Sequence, residues 1–199
     1  MNIRRLLVFC LAVFMICPVA AQENIIVCYN GSTTVSFSDA STTDKYLWQT
    51  KTNSTDWQTV KNWSIDKFVD LDNLTNSLSV RYLVDTITFD AIPDDTVDIA
   101  TITVYEQFTA GTISTSQTIC YNTLPSQLTG TNCTGGAMPY SYQWQYSTDG
   151  SNFTNISDAT SLNYMPSALT QTTWYRLLYT SSSDCGTVYS LAVRITVRP

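Results

Sequence analysis

The stretch YSYQWQY at residues 140–146 decides the fold that this sequence predicts. Its aromatic residues alternate with Ser and Gln, so they share one face of an extended strand, as expected for a β-strand with one buried face. The turn residues at 148–151 (TDGS) predict a hairpin that leads into Phe153 and Ile156. The rest of the chain continues in short alternating runs without helical periodicity, which indicates an all-β protein.

The same pattern occurs twice along the chain. Residues 46–49 (YLWQ) match residues 142–145 (YQWQ) at a spacing of 96 residues. Further matches follow in the same order at spacings of 92 to 96: CYN at 28–30 and 120–122, Trp57 and Phe153, RYL at 81–83 and RLL at 176–178, and ITV at 102–104 and 195–197. A repeat of this length suits a tandem sandwich and is too long for a solenoid. We therefore predict two tandem immunoglobulin-like β-sandwich domains, residues 22–106 and 107–199.

The repeat also predicts which side chains form the two cores. Trp48 and Trp144 occupy equivalent positions on a central strand, and we expect both in the cores, together with Trp57 and its match Phe153. Alternation in the last strand of each domain adds more inward-facing positions. These are Ile102 and Val104 in the first domain and Leu191, Val193, Ile195 and Val197 in the second.

Residues 1–21 have the features of a cleavable secretory signal. Arg4 and Arg5 precede an apolar stretch at 6–16 that is too short to span a bilayer, and small residues at 19–21 precede the predicted cleavage before Gln22. Cys17 offers lipid anchoring as an alternative, although the bulky residues before it do not suit lipoprotein processing. No later segment is long and apolar enough to cross a membrane. We predict a secreted or cell-surface protein without membrane insertion after signal cleavage.

Charge and composition narrow the function further. The net charge of −6 and the absence of a basic stripe argue against nucleic-acid binding. The chain contains no histidine, which excludes Ser-His-Asp and Cys-His catalytic sites and ordinary zinc catalysis. Asp70 with Asp72, and the aspartates at 90–98, are glycosidase or calcium candidates that we interpret as solvated acids between strands. We predict no enzymatic activity, no cofactor and no metal site.

The second domain resembles the Ig-like repeats of large cell-surface proteins and adhesins of Bacteroidota. The resemblance rests on CYN at 120–122, YQWQYS at 142–147, DG at 149–150, FTNI at 153–156, TWYR at 173–176 and VRITV at 193–197. Residues 24–106 form a degenerate copy that lacks the Asp-Gly turn and the second cysteine. The resemblance implies a surface or secreted setting and no catalytic residues.

Four cysteines remain after the predicted signal: Cys28, Cys120, Cys133 and Cys185. In an exported protein they are candidates for disulfides. The resemblance implies that Cys120 pairs with Cys185. Pairing of Cys133 with Cys185 is an alternative, because the loops that carry them share one end of an Ig-like sandwich. Spacing does not decide between the two.

Trp63 is the candidate binding residue. It lies in the polar segment KNWS at 61–64, which we interpret as a loop, and it has no match in the second domain. An exposed indole there would stack on a sugar or anchor a protein contact, and the alternative is an indole that packs under the loop or into the domain junction. The leading hypothesis is a non-catalytic, adhesin-like interaction module whose partners are glycans or extracellular and surface proteins. The alternatives are a structural spacer or truncated repeat fragment of a larger surface protein, and a carbohydrate-binding accessory module.

Overall fold

A computed structural model describes residues 23–37, 44–85 and 95–199. All regular secondary structure in these ranges is β, and they contain no helix that could cross a membrane. The chain divides into two compact units between Tyr105 and Glu106, one residue before the predicted boundary. The predicted signal at residues 1–21 lies outside the described residues.

The first unit is a sandwich of a larger and a smaller sheet. Its described strands are β1 (Glu23–Val27), β2 (Gly31–Ser36), β3 (Lys45–Thr52), β4 (Gln58–Ser64), β5 (Phe68–Leu74), β6 (Leu78–Asp85) and β7 (Asp95–Val104). The larger sheet has the order β1-β7-β6-β3-β4, and β2 pairs with β5 in the smaller sheet. Trp48 and Tyr82 of the larger sheet are buried with Val35, Val69 and Leu71 of the smaller sheet, so the core lies between the two sheets.

The second unit repeats this plan. Its strands are β8 (Gln117–Cys120), β9 (Leu128–Thr129), β10 (Ala137–Ser147), β11 (Thr154–Asn155), β12 (Asn163–Tyr164), β13 (Thr173–Ser182), β14 (Thr187–Tyr189) and β15 (Val193–Arg198). The larger sheet has the order β11-β10-β13-β15-β8, with β14 also paired to β13, and β9 pairs with β12. Trp144, Leu177 and Ile195 of the larger sheet and Leu128 of the smaller sheet are fully buried.

The two tryptophans of the repeat are confirmed as core residues. Trp48 and Trp144 are both 0% exposed. Each indole N–H finds a backbone acceptor: Trp48 Nε1 donates to Asp66 O at 3.1 Å, and Trp144 Nε1 donates to Ser161 O at 2.9 Å. A buried indole usually needs such a partner, so the repeat reproduces both the packing and the hydrogen bond.

The Cys-Tyr-Asn segments form the same turn in both units. Asn30 and Asn122 have positive φ angles of 59° and 56°, a conformation that asparagine tolerates better than most residues. Their N–H groups donate to Leu74 O and Leu169 O, both at 2.8 Å. The motif therefore marks a left-handed turn after the first strand of each unit.

The predicted hairpin of the second unit is confirmed as the β10–β11 connection. Gly150 has a φ angle of +76°, which suits glycine, and it lies against Trp174. The Asp149 carboxylate accepts hydrogen bonds from the backbone N–H groups of Asn152 and Ser151, both at 2.8 Å. These donors hold the pKa of Asp149 well below its usual range, because they stabilise the ionised form.

The last strand of the second unit is shorter than predicted. Ile195 is 0% exposed as expected, but Leu191 is 91% exposed and precedes β15, so its predicted inward orientation is wrong. Ser190 is the physical reason. Its N–H donates to Leu177 O and its Oγ accepts from the Leu177 N–H, both at 2.9 Å, so the buried Ser190 takes the position beside Leu177. The chain bulges after Ser190 and turns Leu191 outward.

Candidate interaction surface

Arg176 lies on the outer face of the larger sheet of the second unit. It pairs with Gln145, and both alternate along their strands with core residues such as Leu177. The Arg176 guanidinium carbon is 4.1 Å from the ring centroid of Phe153 and 4.0 Å from that of Tyr189. Both distances are within the range of cation–π attraction, so two aromatic rings hold one guanidinium on this face.

The polar contacts of Arg176 leave most of its donors free. Nε donates to Gln145 Oε1 at 2.7 Å, and Gln145 Nε2 donates to Asn155 Oδ1 at 2.7 Å. Within residues 23–37, 44–85 and 95–199, the terminal nitrogens of Arg176 have no hydrogen-bond acceptor and no carboxylate partner. A guanidinium carries five N–H donors, and four of these are on the terminal nitrogens.

The first unit contains the same arrangement. Arg81 Nε donates to Gln49 Oε1 at 2.8 Å, and the guanidinium carbon is 4.1 Å from the ring centroid of Trp57. Lys51 Nζ lies 4.8 Å from the same centroid. We name these clusters the first arginine platform (Gln49, Lys51, Trp57, Arg81) and the second arginine platform (Gln145, Phe153, Arg176, Tyr189).

The platforms differ at the position opposite the arginine. Asp98 of β7 is the register partner of Arg81, although its side chain lies outside the described part. The 93-residue spacing of the final strands aligns Asp98 with Leu191. Because Tyr175 pairs with Val193 while Leu177 bonds to Ser190, the bulge places Leu191 and Ala192 opposite Arg176. An exposed aliphatic side chain thus replaces an acidic residue in the second unit.

One aromatic residue of each platform lies outside the core, where the sequence had predicted it to be buried. Trp57 and Phe153 were expected in the cores, but neither belongs to a core cluster and both are half-buried on the outer face. The reason is the Arg81 and Arg176 guanidinium groups, which offer the rings a stacking partner outside the sandwich.

Trp63 is not in a loop, as the polar segment around it suggested. It lies in the edge strand β4 and is half-buried. Ser64 pairs with Tyr46 and Lys61 pairs with Trp48, and the register shifts between these two pairs, so Trp63 lies at an irregularity of the strand. The described residues provide no hydrogen bond or ring partner for its indole.

The acidic candidates also lie in strands. Asp70 and Asp72 are exposed residues of β5, on the face opposite to the buried Val69 and Leu71. Of the aspartates at 90–98, those before Asp95 lie outside the described residues. Among the residues that are described, no three His, Cys, Asp or Glu side chains are placed to hold a metal ion.

The cysteines differ from both predicted pairings. Cys120 and Cys133 are free thiols, whereas Cys28 and Cys185 are disulfide-bonded. Neither Cys120–Cys185 nor Cys133–Cys185 is therefore formed. Cys133 is buried in the core of the second unit, where burial raises the pKa of its thiol, and Cys120 is exposed at the end of β8.

Comparisons with known proteins identify the fold. A family model described as a domain of unknown function (DUF8696) matches residues 109–199. No curated protein matches the chain. Among solved structures, a marsupial T cell receptor is similar at 14% identity and a TM-score of 0.53, over 87% of this chain and 70% of that chain. At this identity the similarity concerns the fold alone, and it confirms the prediction of two immunoglobulin-like sandwiches.

Sequence reasoning missed the arginine platforms, although the signal was present. The arginines, the glutamines and the pair Trp57 and Phe153 lie at matched positions of the repeat, where they were used only to align its copies, whereas Tyr189 has no aromatic match. The alignment of Asp98 with Leu191 was also readable from the spacing. What the sequence did not show is that these residues meet on the outer face.

Proposed function

We propose that this protein is a secreted or cell-surface interaction module, adhesin-like and without catalytic activity. The observation that carries the proposal is the exposed apolar surface around the second arginine platform. Tyr189 is 47% exposed and Leu191 is 91% exposed, beside a guanidinium that no described carboxylate neutralises. Exposed aromatic and arginine side chains close together are typical of protein-binding surfaces, and an exposed leucine beside them adds apolar area that a partner can bury.

The fold and the chemistry of the chain support this proposal. Immunoglobulin-like sandwiches commonly display binding residues on sheet faces and loops. The absence of histidine removes the commonest general acid–base group. The resemblance to Bacteroidota surface repeats, the secretory-type N-terminus and the disulfide-bonded Cys28 and Cys185 agree with a setting outside the cytoplasm.

The test is a binding screen of the purified full chain, produced in its exported form, against glycans, extracellular matrix proteins and cells. The test variant combines Tyr189→Ala and Leu191→Ser. Its matched control combines Tyr121→Ala and Leu124→Ser, which removes an exposed Tyr and an exposed Leu from the segment after β8 in the same unit. We expect the test variant alone to lose binding. A blank screen, or binding that survives the test variant, contradicts the proposal and favours a structural spacer.

A carbohydrate-binding accessory role is the second candidate, and Trp63 favours it. The indole lies in an edge strand, half-buried and without a described ring partner, which suits stacking on a sugar ring. Trp63→Ala would then abolish binding in the glycan part of the screen and leave the fold intact. Unchanged glycan binding in that variant would eliminate this candidate.

A further inference from the structure

We infer that the second arginine platform binds an acidic segment of a partner protein, in which a carboxylate lies beside an aliphatic side chain. This inference rests on the proposed function and names its ligand class. The carboxylate would accept hydrogen bonds from the terminal nitrogens of Arg176. The aliphatic side chain would cover Leu191 and the exposed part of Tyr189.

The first argument is the orientation of Arg176. Its Nε is occupied by Gln145, which is only 8% exposed and is itself held by Asn155. Phe153 and Tyr189 pack against the guanidinium within 4.1 Å. The group is therefore held in place before any ligand arrives, and little conformational entropy remains to be lost on binding.

The second argument is charge. The chain has a net charge of −6, yet the described residues place no carboxylate against Arg176, and the register position opposite it holds Leu191 and Ala192. In the first unit the equivalent position holds Asp98. At this position, the first unit therefore has an acidic residue and the second unit has none. A partner that supplies a carboxylate would neutralise the Arg176 guanidinium, and a planar guanidinium binds carboxylates in a bidentate geometry.

The third argument distinguishes a peptide from an acidic sugar. Sugars stack on open aromatic faces, but Phe153 and Tyr189 each direct a face at the guanidinium. The most exposed apolar residue of this surface is an aliphatic one, Leu191, at 91%. Aliphatic side chains of a peptide can cover Leu191, and burying this apolar area favours binding. The ligand therefore combines a carboxylate with an aliphatic side chain.

The test is an NMR titration of the full chain with the peptide Ac-Leu-Glu-Leu-NH₂ at millimolar concentrations. We expect saturable shifts of the Arg176 Nε–Hε and Tyr189 ring signals. The neutral peptide Ac-Leu-Gln-Leu-NH₂ should bind at least about tenfold more weakly, because it cannot form the charge-assisted hydrogen bonds of a carboxylate with a guanidinium. Glucuronate and acetate serve as the sugar-type and simple anions.

Matched variants locate the site. Arg176→Gln should abolish the shifts of the Tyr189 ring, while Arg81→Gln, the equivalent change in the first unit, should leave the affinity unchanged. Leu191→Ser should weaken binding about threefold to tenfold, because the buried aliphatic area is lost. Arg176→Lys should bind weakly, since a lysine keeps the charge but not the bidentate geometry.

Several results would overturn the inference. These are the absence of a saturable shift, an equal response to the Glu and Gln peptides, or equal losses in Arg81→Gln and Arg176→Gln. Shifts with glucuronate but not with the peptide would assign the site to acidic sugars instead, and shifts with acetate equal to those with the peptide would remove the role of Leu191. If the titration fails while the binding screen succeeds, the ligand class is wrong and the interaction role stands.

Discussion

The two units place an arginine at the same position of the same sheet face, with different surroundings. Arg81 stacks on one ring, shares it with Lys51, and has Asp98 as its register partner. Arg176 lies between two rings and has no acidic residue opposite it. The shared features, a Gln–Arg hydrogen bond and an aromatic ring, belong to the architecture of the repeat. The differences are the second ring and the residue opposite the arginine, and the proposed binding role rests on them.

We expect the largest effect when the buried tryptophan of either core is replaced, and the two cores should respond alike. Trp48→Ala and Trp144→Ala each remove a fully buried indole, which typically destabilises a domain by about 3–5 kcal/mol. Each variant should lower the stability of its own unit, because each tryptophan belongs to the core cluster of that unit. Hydrogen exchange measured separately for the two units checks this, and an equal loss of protection in both units from one substitution would contradict it.

Alkaline pH is the next largest perturbation and should act on the second unit. Burial raises the pKa of Tyr175 and of Tyr179 to about 12. The neutral forms are favoured in the folded state, so their contribution to stability is complete below a pH of about 10, the unfolded pKa, and is lost as the pH rises towards 12.

The measurement is the urea midpoint of the second unit at pH 8 and at pH 11. The Tyr175→Phe, Tyr179→Phe double variant serves as the control, because it has no phenol to ionise at these sites. The wild-type midpoint should fall more steeply with pH than that of the double variant. Parallel curves would show that these tyrosines do not control alkaline stability.

The Asp-Gly turn distinguishes the second unit from the degenerate first copy. Gly150→Ala places a Cβ at a φ angle of +76° and 3.2 Å from Trp174 Cε2, so we expect a loss of about 1–3 kcal/mol. Ser54→Ala, in the corresponding turn of the first unit, should change stability by less than about 0.5 kcal/mol. Chemical denaturation of both variants makes the comparison, and a neutral Gly150→Ala would show that the turn relaxes without cost.

The two arginines should stabilise their units by smaller and unequal amounts. Arg176→Met should destabilise its unit by about 1–2 kcal/mol, because two ring contacts are lost, each of about 0.5–1 kcal/mol. Arg81→Met should cost about half as much, since Arg81 contacts one ring and its loss relieves repulsion with Lys51. Thermal unfolding followed unit by unit measures both, and a larger loss in Arg81→Met would reverse the interpretation.

The smallest expected effect is a difference in alkylation between the cysteines at matched positions. Cys28 and Cys120 occupy the same turn of the repeat, but Cys28 is disulfide-bonded and Cys120 is a free, exposed thiol. Alkylation without reductant should label Cys120 rapidly and the buried Cys133 slowly, while Cys28 and Cys185 react only after reduction. Mass spectrometry of the peptides measures this, and rapid labelling of Cys185 would contradict the structure.

Much of the fold could be predicted because one-sided burial leaves a period of two in the sequence. Trp144 and Ile195 were placed correctly on that basis, and the Asp149–Gly150 turn was recognised from its residue types. Leu191 was misplaced, because a bulge shifts the alternation and leaves no mark in the local pattern. Trp63 was assigned to a loop because edge strands have polar sequences much like loops.

The sequence alone determined the all-β class, the two copies and their core tryptophans, since these depend on local alternation and on residue identity repeated at a fixed spacing. The tertiary structure decided which residues meet across strands. Arg176, Phe153 and Tyr189 come from β13, from the turn before β11 and from β14, and their contact depends on register and on the Ser190 bulge. The cysteine states likewise depend on which thiols lie close together in space, which spacing along the chain does not specify.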